Sequence, residues 1–293
     1  MASKRYKIHK RLKPKRSLLK KILKNRFFWF GVLGFLMIGG VLYGIFFTPF
    51  FQIEHIKISG NVKVPEESLR ESAQTHLARK FLFLEMEHFM LADTSAVAEE
   101  MKAVFPEIDS IVLRREFPDS FHIIVRERQG VALWCQQRSY TVEVEDGEEL
   151  EKAVRECFAL DARGVIFEKK ELEREVIISE EGKHAALGER VIDVELLAKI
   201  LRFQQQLDSF TLFQEVGLRV STLAVVSKER VDAKISDLSG REGWEIYLNP
   251  TEDINWQITK VRLVLEQEIS SAKRPSLEYI DLRFGDQAYI KYR

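Results

Sequence analysis

Phe27–Phe51 passes without a single charge, and the chain on either side of it is polar. As an α-helix at 1.5 Å per residue this run would extend about 37 Å, enough to cross a hydrocarbon core of about 30 Å with some tilt. After it the pattern breaks into shorter periods. Phe51–Ser59 carries Ile53, Ile56 and Ile58 and predicts a strand, which Gly60-Asn61 ends. Pro65-Glu66-Glu67 opens a helix with Leu69, Ala73 and Leu77 on one stripe. Phe81-Leu82-Phe83-Leu84 reads as an apolar connector tucked under the domain. A second helix starts near Asp93-Thr94-Ser95, with the stripe Val97, Met101, Val104 and Phe105, and Pro106 stops it. Ile108–Arg115 and Ser120–Glu127 are two strands joined through Pro118; Phe121, Ile123 and Val125 share one face of the second. The order strand, helix, helix, strand, strand predicts a three-stranded sheet covered by helices on one face.

The remainder is richer in strands. Val131–Arg138 and Cys157–Leu160 flank a polar, acid-rich insert, Tyr140–Glu156, read as a loop, and Val165–Phe167 resumes after the turn at Asp161–Gly164. Asp193 caps a helix with the stripe Leu196, Ile200, Phe203 and Leu207. Val216–Val226, Val231–Ile235 and Trp244–Leu248 read as strands. A helix after Pro250 carries Ile254, Ile258, Val261 and Leu265 on one side. In the next strand Ile280, Leu282 and Phe284 alternate as a buried face while Tyr279, Asp281 and Arg283 point away. Gly285-Asp286 is a hairpin turn, and Ala288–Tyr292 returns as a last strand that reads as a sheet edge. The predicted class is α+β. A single N-terminal transmembrane helix precedes a β-α-α-β-β domain and a mainly antiparallel β domain with two packed helices.

Charge gives the apolar run its direction. Residues 1–26 carry twelve basic side chains and no acid, so 33 of the 45 basic residues, against all 45 acidic ones, follow it. The zero net charge hides this asymmetry, and the positive-inside rule puts the tail in the cytoplasm. The run exceeds the apolar core of a signal peptide and ends in Phe46-Phe47-Thr48-Pro49-Phe50-Phe51 with no small-residue cleavage pattern, so it reads as an anchor. Topology and anionic lipid account for the tail's charge without nucleic acid. Gly40 and Gly44 form a G-x-x-x-G spacing, more simply explained by the frequency of glycine in spans. The expected division is a basic tail 1–26, a span 27–51, and domains 52–128 and 129–293.

Side-chain chemistry points away from catalysis. No G-x-S-x-G, H-E-x-x-H or P-loop pattern occurs, and six scattered histidines lack metal-ligand spacing. No cofactor is implied. Cys135 and Cys157 are the only cysteines; a disulfide and two separate buried thiols are both open readings. Asp281 and Arg283, two residues apart on one strand, suit an ion pair or a partner contact.

Three stretches carry a resemblance. Phe105-Pro106 through Val112, Arg114, Pro118 and Ile123 to Val125-Arg126-Glu127-Arg128, followed by Val131-Ala132-Leu133-Trp134, resembles the end of the POTRA domain in FtsQ/DivIB bacterial division proteins. Phe158-Ala159-Leu160-Asp161 with Gly164-Val165-Ile166-Phe167 resembles the start of that family's C-terminal β domain. Tyr279-Ile280-Asp281-Leu282-Arg283 resembles its closing strand. Basic tail, single span, POTRA domain and β domain is also the family's layout. Where the family often has Leu-Gly, this chain has Leu248-Asn249-Pro250, a departure that touches only the turn.

The resemblance implies a non-enzymatic scaffold of the bacterial divisome, held in the cell membrane at the division septum with its C-terminus outside. It implies docking of small single-span division proteins of the FtsB/DivIC and FtsL type by strand addition, and contact with other divisome membrane proteins through the span and POTRA domain. Carried over by position, Phe284 and Tyr292 fall at partner-contacting aromatic positions, near Arg283. Tyr279, Asp281 and Tyr289 complete the expected set, although Tyr289 and Tyr292 also read as ordinary interfacial or core aromatics. The alternative is a POTRA-containing envelope module that guides translocated polypeptides; such modules usually repeat the POTRA unit and end in a membrane barrel, for which no strand array exists here.

Overall fold

A computed structural model describes residues 25–47, 53, 55–77, 79–81, 84–86, 92–143, 149–171 and 176–293. The basic tail up to residue 24 and the end of the apolar run, Thr48–Gln52, lie outside the described residues. Helix α1, Arg26–Phe47, is 22 residues long with no charge after Arg26, about 33 Å at the standard rise. Among the described residues no helix is long and apolar enough to cross a membrane.

By internal contacts the chain divides into two compact units. One is drawn from Met1–Lys57, Leu77–Asp93 and Arg115–His122, the other from Ile58–His76, Thr94–Arg114 and Ile123–Arg293. In chain order, α1 is followed by β1 (His55–Ser59), α2 (Glu66–Leu77), β2 (Arg79–Phe81), β3 (Leu84–Met86), α3 (Thr94–Val104), β4 (Ile108–Glu116) and β5 (Ser120–Glu127). The three-stranded sheet has the order β1-β5-β4. The α2 stripe Leu69, Ala73 and Leu77 is buried, as are Phe121, Ile123 and Val125 on β5. Two expectations change. Phe81 and Leu84 belong to β2 and β3, which pair with each other as a separate two-stranded sheet, while Leu82 and Phe83 lie outside the described residues. Val104 is exposed, because its helix ends there and leaves burial to Val97, Ala98 and Met101.

Glu127 closes the loop after β1. Its carboxylate accepts the backbone N–H groups of Val62, Lys63 and Val64 at 2.8, 2.9 and 3.0 Å. Burial opposes its ionisation, but the three donors and the Lys63 charge outweigh it and hold its pKa below the usual carboxylate value. A depressed carboxylate pKa gives stability that is complete above the unfolded value, near 4.3, and is lost as pH falls through the folded one. Glu127→Gln should therefore cost about 1–2 kcal/mol at pH 7 in urea melts, and the gap from wild type should close towards pH 3–4. A gap of equal size at both pH values would contradict this account.

The second part is one nine-stranded sheet. Its strands are β6 (Gly130–Glu143), β7 (Glu149–Asp161), β8 (Ile166–Lys170), β9 (Ile177–Glu180), β10 (Leu218–Ser227), β11 (Arg230–Asp237), β12 (Glu242–Leu248), β13 (Leu277–Phe284) and β14 (Gln287–Tyr292). Their order is β14-β13-β12-β11-β10-β9-β6-β7-β8. Neighbours are mostly antiparallel; β9 with β6, β9 with β10, and β12 with β13 are parallel. The helices are α4 (Val194–Asp208), α5 (Thr211–Val216) and α6 (Ile254–Leu263). Asp193 caps α4 by accepting the N–H groups of Glu195 and Leu196, and Asp253 caps α6 through Asn255. Ile200, Phe203, Ile258 and Val261 from the helices join Trp134, Ile246 and Ile280 from the sheet in one buried core on one sheet face.

The patterning misread three places here. Tyr140–Glu156 is largely strand: after an irregularity between Gly130 and Ala132, β6 and β7 stay in register from Ala132/Leu160 out to Glu143/Glu149, forming a ribbon well beyond the expected ends. Its run of polar residues carries no apolar alternation to mark it as strand. Val216–Val226 divides into the end of α5 and β10, with Gly217 at φ 71° as the hinge, adding a third helix to the two expected. In α4 the buried position is Leu197, with Leu196 only partly covered.

Candidate docking edge of the nine-stranded sheet

A sheet has two edges, and here they differ. At one end β8 is covered where it begins: Ile166 donates to the Glu189 carbonyl at 3.1 Å and accepts from Gly188 N–H at 2.7 Å. Phe167 is buried and the last three residues, Glu168, Lys169 and Lys170, are charged, with Glu168 paired to Lys63 and Lys169 to Glu156, both at 2.8 Å. Charge on an edge discourages further pairing. At the other end β14 pairs with β13 only, and among the described residues no strand lies outside it. Arg293 N–H donates inward to the Ser276 carbonyl at 2.8 Å. By the strand's alternation the N–H and C=O groups of Ala288, Ile290 and Tyr292 face out. Ala288 and Ile290 rest their side chains on the core, so the strand is seated.

The β13–β14 turn is gripped from below by α6. Lys260, 4% exposed, donates its Nζ hydrogens to the carbonyls of Leu282 and Gly285, each at 2.6 Å, and to that of Gln287 at 3.4 Å. One helical turn earlier, Trp256 Nε1 donates to Asp286 Oδ1 at 3.0 Å. Burial lowers the Lys260 pKa, against the pull of Glu252, Asp286 and Asp281. Gly285 supplies the positive φ, 49°, that the turn requires.

The face opposite the helices is a mesh of aromatic and paired charged groups. Register aligns Asp232, Tyr247, Asp281 and Tyr289 across β11–β14, and Lys234, Glu245, Tyr279 and Lys291 in the next row. Tyr247 stacks on Tyr279 with centroids 4.8 Å apart. Arg230 lies over Tyr247 at 4.4 Å and binds Asp232 through two bonds of 2.8 and 2.9 Å. Arg283 binds Asp281 the same way, at 2.9 and 2.7 Å. Hydrogen bonds to these aspartates raise both arginine pKa values, and burial pushes the Tyr247 phenol up to about 12.

Of the six expected contact residues, Tyr279, Asp281 and Arg283 share this face. Phe284 and Tyr289 meet edge to face at 5.2 Å. Tyr292 sits apart, with Lys273 Nζ 6.0 Å from its ring centre. One assignment needs correction and another is sharpened. Phe284, expected on the buried face, is 52% exposed, since the bulge between Asp281 and Phe284 carries it off the core face; Asp281 forms the ion pair with Arg283 that its spacing suggested, and is 6% exposed beneath it. Tyr247, Arg230 and Asp232 escaped the linear reading because they reach the site only through register between distant strands. Lys260 and Trp256 escaped it because they stand on a helix whose apolar stripe dominated its pattern.

Cys135 and Cys157 face each other across β6 and β7 and form a disulfide at the base of the ribbon, with Cα atoms 4.1 Å apart. Among the described residues no group of three or more His, Cys, Asp or Glu could hold a metal ion.

Comparison with known proteins adds the following. Residues 51–128 match the family model of the FtsQ-type POTRA domain. The chain is 25% identical over 121 residues to the cell division protein DivIB of Clostridium botulinum, in both strain Hall and strain Loch Maree. The match covers 41% of this chain and 41% of each relative, so the chain spans about two fifths of the length of the curated relatives it matches.

Proposed function

We propose that this member of the FtsQ/DivIB family is a single-span membrane scaffold of the bacterial division machinery, docking small single-span partners of the FtsB/DivIC and FtsL type by strand addition. The observation that carries the reading is the contrast of edges: β8 is covered and charged, while β14 offers a seated strand with unpaired backbone groups. A partner strand laid on such an edge gains main-chain hydrogen bonds, and neighbouring side chains select which partner fits. Phe284, Tyr289, Arg283 and Tyr279 stand next to that edge as aromatic and cationic anchors, the types that concentrate binding energy.

In this reading α1 and the apolar residues after it cross the cell membrane, with the basic tail in the cytoplasm against anionic lipid and the rest outside at the septum. The domain division is 52–128 and 129–293. On the sheet face Asp281 and Asp232 are each committed to an arginine, which suits a binding surface. A fluorescent fusion is expected to form a ring at midcell, and depletion to give long undivided cells. A uniform envelope signal with normal division would overturn the reading and favour the polypeptide-guiding alternative.

A further inference from the structure

We infer that Lys260 is a positioning residue: from α6 its ammonium fixes the turn of the β13–β14 hairpin, so that the open strand is held ready for a partner. The assignment rests on the strand-addition reading above. A lysine almost completely removed from water is costly unless its hydrogens are taken up. The described partners of Lys260 are all main-chain carbonyls, from Leu282, Gly285 and Gln287, at the end of β13, in the turn and at the start of β14. One ammonium, with three hydrogens, reaches all three carbonyls, so each of its hydrogens has an acceptor. A leucine or methionine would fill the same space more cheaply and donate to none of them.

The hairpin needs such a hold. It joins the rest of the sheet through a short parallel register, Glu245–Tyr247 with Tyr279–Asp281. A two-stranded hairpin alone is marginal in water. The helix that carries Lys260 is itself fixed, capped by Asp253 and seated in the core through Ile254, Ile258 and Val261. Trp256, four residues earlier, ties the same turn through Asp286. Two side chains from one anchored helix thus meet two consecutive turn residues. A strand already held in its bound shape costs a partner less ordering when it docks.

The test is amide hydrogen exchange on the full-length protein in nanodiscs. In Lys260→Met the inward amides of Tyr289 and Lys291 should exchange at least about tenfold faster, while those of β10 and β11 stay at wild-type rates. Lys260→Arg, which still donates to carbonyls, should restore part of the protection. In the complex with the co-expressed FtsB/DivIC-type partner, Lys260→Met should speed dissociation by a similar factor. Unchanged exchange at Tyr289 and Lys291 would overturn the assignment, and so would equal acceleration through the whole sheet, the mark of a general stabiliser. Should Lys260→Met fail to fold, Trp256→Phe, which removes only the bond to Asp286, should still speed exchange at the turn by about threefold; no change there would count against the assignment equally. If the wild-type chain captures no partner, strand addition falls, while the exchange result still decides Lys260.

Discussion

Proline at position 288 is expected to reduce partner capture at least about tenfold while leaving the fold intact. Ala288 is the first β14 residue whose N–H faces away from β13, so proline there removes no bond of the existing ladder. What it removes is a donor on the open side, and its ring projects into the space where an added strand would lie. Gln287 before it is already extended, the conformation a residue preceding proline prefers. Proline at position 291 is the contrasting case. Lys291 faces β13 opposite Tyr279, and its loss as a donor should loosen the hairpin itself. Capture is measured by co-purifying the partner pair from solubilised membranes, and folding by thermal melts of the same samples. Wild-type capture by Ala288→Pro, with proline 291 alone defective, would mean that partners use the side-chain face and not the strand edge.

Much of this molecule was written in local patterning, and the exceptions have a common origin. The α6 stripe, the β5 alternation and the β13–β14 hairpin rest on spacings within a dozen residues, and each appears as the pattern predicts. Where an assignment depended on a neighbour far along the chain, the pattern failed. Asp281 and Arg283 were legible as a pair on one strand face, but not that Tyr247 and Arg230, brought to the same face by two strand pairings, would make it a covered one. Tyr140–Glu156 looked like a loop because its polar, acid-rich sequence has no apolar alternation, while the pairing of β6 with β7 depends on residues up to about thirty apart. The disulfide was undecidable in sequence for the same reason: it requires the β6–β7 register that sets Cys135 opposite Cys157. Of the open edge, the last strand was legible; the exposure of Phe284 and the side chains of α6 that hold the turn were not.

The second large effect concerns the join between the POTRA fold and the nine-stranded sheet. Arg128, the first residue after β5, is expected to contribute about 3–5 kcal/mol to stability as judged by Arg128→Ala. Its side chain is only 12% exposed and that of its partner Asp161 only 7%, with Nη1 and Oδ2 2.5 Å apart. The other face of the guanidinium is used as well, Nε donating to the Pro106 carbonyl at 3.0 Å. Asp161 cannot relax to water when the arginine is gone, because its second oxygen accepts the N–H groups of Arg163 and Val165, both at 2.9 Å, and so is tied to the turn before β8. A buried carboxylate left without its cation is the costly outcome, and it is larger than the worth of the pair. That distinction gives the check. Asp161→Asn in the Arg128→Ala background should recover part of the loss, since the amide keeps an acceptor for the turn and sheds the stranded charge. Lysine at 128 should recover little, being unable to reach Asp161 and Pro106 with one planar fork. The measurement is the urea midpoint of all four proteins at constant slope. If Arg128→Ala costs under about 1 kcal/mol, the pair is no better than a surface ion pair and the two parts are joined by the peptide and its packing alone.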